Sequence, residues 1–267
     1  MTRKYAILIL SCLKGYEDFK SAQRHWIQAA HEAGVECYFV EGFGRATDPK
    51  LWRDISCCLE KENGYNFIRL DVDDSLKGTF LKTLSALRFL YEEKKVDVVY
   101  RTNLSSYIDV QKFFSFVSSN KIDEEFVGGV LGETRFLREY CYLRLPKILN
   151  LAVQKIDFLS TRMKFVSGSG FFLGSVAFSR LYRLEHMSNF IDDVGLSHYL
   201  QKAGVQQFSS IPRYWIGRGP EHNYQIDFQK FLELDGFHYR FKSKDRENDA
   251  YLMSHFHHPD FRMELTV

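Results

Sequence analysis

Two stretches carry the side chains best suited to chemistry. Phe190-Ile191-Asp192-Asp193-Val194-Gly195-Leu196 puts adjacent carboxylates at the start of a helix expected over Asp193–Ala203. Shortly before it, Val166-Ser167-Gly168-Ser169-Gly170-Phe171-Phe172-Leu173 is rich in small residues. A carboxylate facing a cleft can take the proton of an attacking hydroxyl. An acid at a helix start is also stabilised by free N–H groups and the helix dipole. The pair allows both, with Asp192 capping and Asp193 turned to the cleft. Ser167, Gly168, Ser169 and Gly170 read as a flexible loop whose bare backbone a ligand can approach closely, or as a tight turn.

The elements that must position these groups show as short apolar runs alternating with helical periodicity. Tyr5–Leu10, Cys37–Val40, Asn66–Leu70 and Val96–Tyr100 are β-branched or aromatic and bounded by turn residues, as buried strands are. Phe19, Ala22, Trp26, Ala30 and Ala33 share one face of a helix ended by Gly34. Leu76, Phe80, Leu84, Leu87 and Tyr91 form a second stripe, with Asp73, Asp74 or Ser75 as its N-cap. This alternation predicts an α/β fold, a mixed, mostly parallel sheet flanked by helices on both faces. Ligands of such sheets sit at the carboxyl ends of the strands. Ser11, Cys12, Lys14, Asp71, Arg101 and Thr102 are expected just past those ends. Further along, Asp109–Asn120 reads as a helix and Glu125–Val130 as a strand, whereas the basic, aromatic segment Gly132–Met163 has no clear period. From Gly217 onward a capping subdomain or ordered tail is expected. No linker or repeat divides the chain, so a single domain over 1–267 is expected, in halves 1–106 and 107–267.

Composition narrows the function classes. The chain has 267 residues, 45% of them apolar and 16% aromatic, enough for a sizeable core. A net charge of +2 argues against a nucleic-acid surface and a polybasic anchor. The opening apolar run is broken by Lys14, too early for a signal peptide or transmembrane segment. Five cysteines without a CxxC pair suit reduced thiols, and a cytoplasmic location is expected. The starting Met1 favours a whole protein over an excised catalytic domain.

Several motifs then occur in a familiar order. Arg24-His25-Trp26 lies on the first helix, and Tyr38-Phe39-Val40-Glu41-Gly42 ends a strand in a glycine turn. Asp71-Val72-Asp73-Asp74-Ser75 with Leu81-Lys82-Thr83 follows, then Val166–Phe171 and Asp192-Asp193-Val194. Over roughly residues 5 to 216 this order resembles the inverting β1,3-glycosyltransferases of the GT-A (Rossmann-like) fold, the β3-galactosyltransferase and Fringe group. The resemblance implies transfer of a sugar from a nucleotide donor, UDP above all, to a glycan, lipid-linked saccharide or glycoprotein hydroxyl. It makes Asp193 the base. The donor is expected at Ser11, Lys14, Arg24, Asp71, Lys82, Arg101, Thr102 and Asn103. The acceptor is expected at Ser167, Gly168, Ser169, Gly170 and Trp215.

One departure is plain. The family's metal-binding Asp-x-Asp is replaced by Tyr100-Arg101-Thr102-Asn103, poor ligands for a hard cation. A divalent metal (Mn or Mg) bound elsewhere, catalysis without metal in which Arg101 neutralises the diphosphate, and a dead site all remain open. Asp71-Val72-Asp73 has metal-motif letters but sits where a helix cap is expected. Lys82 reads rather as a helix-surface lysine, and Arg24 and Lys14 equally as solvated cations. His238, in Gly236-Phe237-His238-Tyr239-Arg240, is the candidate metal or phosphate ligand, with His222 behind it. His255-Phe256-His257-His258 reads as a solvated tail rather than a zinc site. Trp215, with Tyr214, stacks on a sugar or closes the core. The alternative function is a non-catalytic GT-A-like module that binds a nucleotide or glycan.

Overall fold

The computed structural model of the chain describes residues 3–216 and 236–257. Its strands are β1 (Tyr5–Leu10), β2 (Glu36–Gly42), β3 (Cys57–Glu62), β4 (Tyr65–Leu70), β5 (Val98–Asn103), β6 (Ser106–Ile108), β7 (Val127–Arg135), β8 (Arg162–Gly174), β9 (Ser209–Ser210), β10 (Tyr214–Ile216) and β11 (His238–Phe241). Its helices are α1 (Glu17–Ala22), α2 (Arg24–Glu32), α3 (Thr79–Glu92), α4 (Val110–Ser119), α5 (Phe136–Tyr142), α6 (Lys147–Ile156), α7 (Ser175–Ser179), α8 (Asp192–Lys202) and α9 (Arg246–His255).

Eight strands form one sheet in the order β3-β4-β2-β1-β5-β8-β7-β9. The central β4, β2, β1 and β5 run parallel, and β3 and β8 pair antiparallel beside them. Alternate residues feed two cores. Ile7, Ile9, Phe39 and Tyr100 pack against α1, α2, α4 and α9. Ala6, Leu8, Val40 and Val99 pack on the other face against α3, α7 and α8. Each fully buried aromatic or aliphatic side chain contributes roughly 1.5–3 kcal/mol. The expected α/β architecture, a mostly parallel sheet with helices on both faces, is the one observed. A second, three-stranded sheet, β10-β11-β6, carries Trp215, His238 and Arg240.

Several local expectations are corrected. The helix expected through Phe19–Ala33 is broken at Gln23, whose side-chain amide donates to the Leu104 carbonyl at 2.6 Å. No Asp73, Asp74 or Ser75 cap starts α3, whose cap position is Gly78. Asp73 instead accepts from the Ser75 N–H, closing a turn before the helix. Arg101 and Thr102 lie inside β5, not beyond it. The expected strand at Glu125–Val130 begins at Val127 and runs to Arg135. The unplaced segment Gly132–Met163 holds the end of β7, the α5–α6 hairpin and the start of β8.

The expected glycine-rich loop is also strand. Ser167–Gly170 lies within the 13-residue β8. Its register against β7 slips from Gly129↔Phe171 to Leu131↔Val166, so this stretch bulges away from β7 while Gly170 stays paired with Thr102 of β5. β3 was not expected. It pairs with β4 through Asn63-Gly64, both with positive φ (51° and 83°), a two-residue hairpin turn. Residues 217–235 and 258–267, with His222 and His258, lie outside the described residues. The rest of the expected tail is structured: β11 and α9 are regular, and Phe256 is fully buried.

Candidate active site

The carboxyl ends of β1 and β5 flank the place where the strand order switches direction, β2 lying on one side of β1 and β5 on the other. Crevices at such points collect ligands. Three side chains from distant parts of the chain meet there. Arg101 of β5 is buried and forms an ion pair with Asp192, the first residue of α8. Thr83 of α3 donates to the same Asp192 oxygen at 3.4 Å. Asp193 is half-buried. Its Oδ2 accepts the Gly168 N–H at 2.8 Å and its Oδ1 the Val194 N–H at 2.9 Å. The α8 cap position, Ile191, provides no side-chain cap, and Asp192 goes to Arg101 instead of capping.

Burial and then the adjacent Asp192 charge push the Asp193 carboxyl up to about 6. The Gly168 N–H, Arg101 and the Val194 N–H oppose that rise only in part. An exposed carboxylate is spent as a base at neutral pH, whereas one lifted toward 6 binds a proton more strongly and still ionises at pH 7.

Gly168 is required by packing, since a Cβ there would lie 2.7 Å from an Arg101 nitrogen and 3.0 Å from the Asp193 Cβ. A Cβ on Gly170 would meet His238 Nδ1 at 2.3 Å and the Tyr100 hydroxyl at 2.5 Å. These glycines are thus small to admit the protein's own side chains, rather than to leave a bare loop for a ligand. Ser167 and Ser169 share a hydroxyl hydrogen bond of 2.9 Å, and Arg213 donates to the Ser167 hydroxyl at 3.1 Å. Trp215 is half-buried, with the guanidinium groups of Arg213 and Arg240 at 4.5 and 5.0 Å from its ring centre. Burial, then the charges of Arg213, Arg101 and Arg246, lower Arg240 to about 10. That mutual repulsion among cations is what an anion would relieve.

The other expected site residues divide into two groups. Some are pinned inside the fold. Thr102 donates to the Ser169 carbonyl at 3.0 Å, and the Asn103 side-chain oxygen accepts from Ser105 and Ser106. Lys82 is buried rather than a surface lysine, donating to the Ser11 carbonyl and to Asp74, both at 2.7 Å. Asp74 also accepts the Leu13 and Gly42 N–H groups, and the Ser11 hydroxyl donates to buried Glu41. The rest are exposed: Asp71, Lys14 and Arg24. Arg24 lines a cleft of about 650 Å³ with Lys20, Tyr65 and Arg69.

His238 does not suit the part of a cation or metal ligand. It is buried, with Nδ1 on the Tyr100 hydroxyl at 2.7 Å, and Nε2 has no hydrogen bond among the described residues. Burial, then Arg213 and Arg240, hold it well below the usual histidine range, so the ring is neutral and its charged neighbours repel a cation. Among the described residues no group of three histidines, cysteines or acids is placed to hold a metal ion. His257 stacks on His25 at 3.6 Å instead. Sequence reasoning missed Arg213, Arg240 and the Asp192–Arg101 pairing. The only available signal was that the two arginines flank Trp215 and His238.

No protein-family model matches the chain, and no curated protein matches it. One solved structure similar to it is a galactosyltransferase, LgtC, crystallised with donor and acceptor sugar analogs. The two share 9% identity and a TM-score of 0.43, over 98% of this chain and 96% of that one. The likeness is loose. No described helix is long and apolar enough to cross a membrane.

Proposed function

We propose that the chain is an inverting glycosyltransferase that moves a sugar from a UDP-linked donor to a hydroxyl of a glycan or glycoconjugate. Asp193 carries this reading: a carboxyl lifted to about 6, held by two backbone N–H groups at the carboxyl edge of the sheet, beside clustered arginines. The ionised carboxylate takes the acceptor hydroxyl proton as the oxygen bonds to the anomeric carbon. The bond from that carbon to the donor phosphate oxygen breaks, and its electron pair leaves with the nucleoside diphosphate. Attack from the side opposite the leaving group inverts the carbon. Arg213 and Arg240 would meet the diphosphate charge. No group of three metal-ligating side chains is placed together among the described residues, and no step is assigned to a metal.

A non-catalytic module binding a nucleotide or glycan is favoured by one observation, that Arg101 is already neutralised by Asp192. Two measurements separate the readings. Calorimetry with UDP and UDP-sugars, in manganese and in chelator, reports donor binding. UDP release in the presence of a glycan panel reports transfer. Asp193→Asn is expected to abolish release while donor affinity stays within about fivefold, since a base contributes to chemistry rather than to binding. Full release by that variant would remove Asp193 as the base, and binding without any release by the wild type would leave the module.

A further inference from the structure

The α5–α6 hairpin has a surface that the fold does not use. Ile148, Leu149, Leu151, Ile156, Phe158 and Leu159 are all exposed, Ile148 and Leu159 to 75% and Phe158 to 64%. At 100° per residue, Ile148, Leu149, Ala152, Val153 and Ile156 fall on one face of α6. Soluble proteins rarely leave so many large apolar groups together in water. The hairpin is nonetheless firmly based. Arg135 donates to the Phe158 carbonyl at 2.7 Å and to the Ser160 carbonyl at 3.1 Å, and the Leu137 N–H donates to the Ser160 hydroxyl. It stands off the body across a groove of about 770 Å³ lined by Leu76, Tyr142, Leu143 and Leu151.

Charge says what this surface fits. Residues 135–164 hold seven lysines and arginines against two acids, Glu139 and Asp157, a net +5 where the whole chain carries +2. Glu139 is buried and accepts from Thr134 at 2.7 Å. Arg138, Arg144, Lys155, Arg162 and Lys164 are exposed. Apolar side chains ringed by basic ones are the surface of a helix lying in the interface of an anionic bilayer, its apolar face in the acyl boundary and its cations at the headgroups.

We propose that the α5–α6 hairpin docks this protein on an anionic lipid surface. The proposal stands whether or not the chain transfers sugars. The test is co-sedimentation of the full chain with phosphatidylcholine vesicles with and without phosphatidylglycerol, at low and high salt. Wild type is expected to pellet with the anionic vesicles only, and less in high salt. Ile148→Asp/Leu159→Asp is expected to weaken partition by about tenfold or more, and Arg138→Glu and Lys155→Glu by at least about fivefold each. Thermal melting midpoints equal to wild type show that the variants fold, as expected for such exposed positions. Wild type that stays in the supernatant, or variants that pellet as wild type does, would overturn the proposal. So would an Ile148→Asp/Leu159→Asp variant whose only change is to turn a dimer into a monomer in sedimentation.

Discussion

Asp193 and Asp192 are neighbours in the chain, and their environments separate them. Asp192 is ion-paired with Arg101, while burial and the neighbouring carboxylate push the Asp193 carboxyl up to about 6. A base must be ionised, so transfer is expected to rise with pH through about 6 and to fail below it, as a pH profile of kcat/KM would show. Asp192→Asn removes a like charge and frees Arg101, and both changes favour ionised Asp193. The acid limb should therefore move to lower pH. The same change leaves a buried guanidinium without its counter-charge, and urea unfolding is expected to show a loss of about 3–5 kcal/mol. Asp193, Arg101 and Gly168 could be read from the sequence because acid, cation and glycine stand out near expected element ends. Their pairing could not: Arg101 and Asp192 are 91 positions apart. Arg213 and Arg240 were marked only by flanking Trp215 and His238, too little to place them at the site.

The strands of the sheet centre were legible because each is a short apolar run buried on both faces. β8 was not, since its Ser167–Gly170 stretch has low strand propensity and is held by partners on either side rather than by its own residues. It also has no room for larger residues at its glycines. Gly170→Ala would drive a Cβ into His238 and Tyr100, two side chains already hydrogen-bonded to each other. The expected cost is about 1–3 kcal/mol of overpacking, read as a lower denaturation midpoint, with donor binding weakened as Trp215 and Arg240 shift with the β11 sheet. β3 escaped for a different reason. Five of its six residues are exposed, so it shows no alternation, although the Asn63-Gly64 pair was a usable turn signal. Gly64→Ala meets no atom but must adopt φ +83°, which is expected to cost about 1–2 kcal/mol.

Across the whole molecule, charge is unevenly shared: residues 135–164 carry +5 of a chain whose total is +2, so the remainder is net negative. The α/β class was legible from the alternation of runs, while the strand order was not, because β8 pairs with β5 and β9 with β7, segments remote in the chain. That order also has a kinetic side. β1 pairs with β5 from Tyr5↔Val98 onward, and β5 waits for β8, with Tyr100 facing Phe172. Closing loops of this length is slow, whereas the β3–β4 hairpin can form at once. During synthesis the half of the sheet ending at β5 therefore exists before the strand that covers its edge. A fragment ending at residue 161 would present that edge permanently and is expected to aggregate, whereas the full chain stays monodisperse in light scattering. Asp193 meets Arg101 and Gly168 only after β8 has docked, so the candidate site matures among the last parts of the protein to fold.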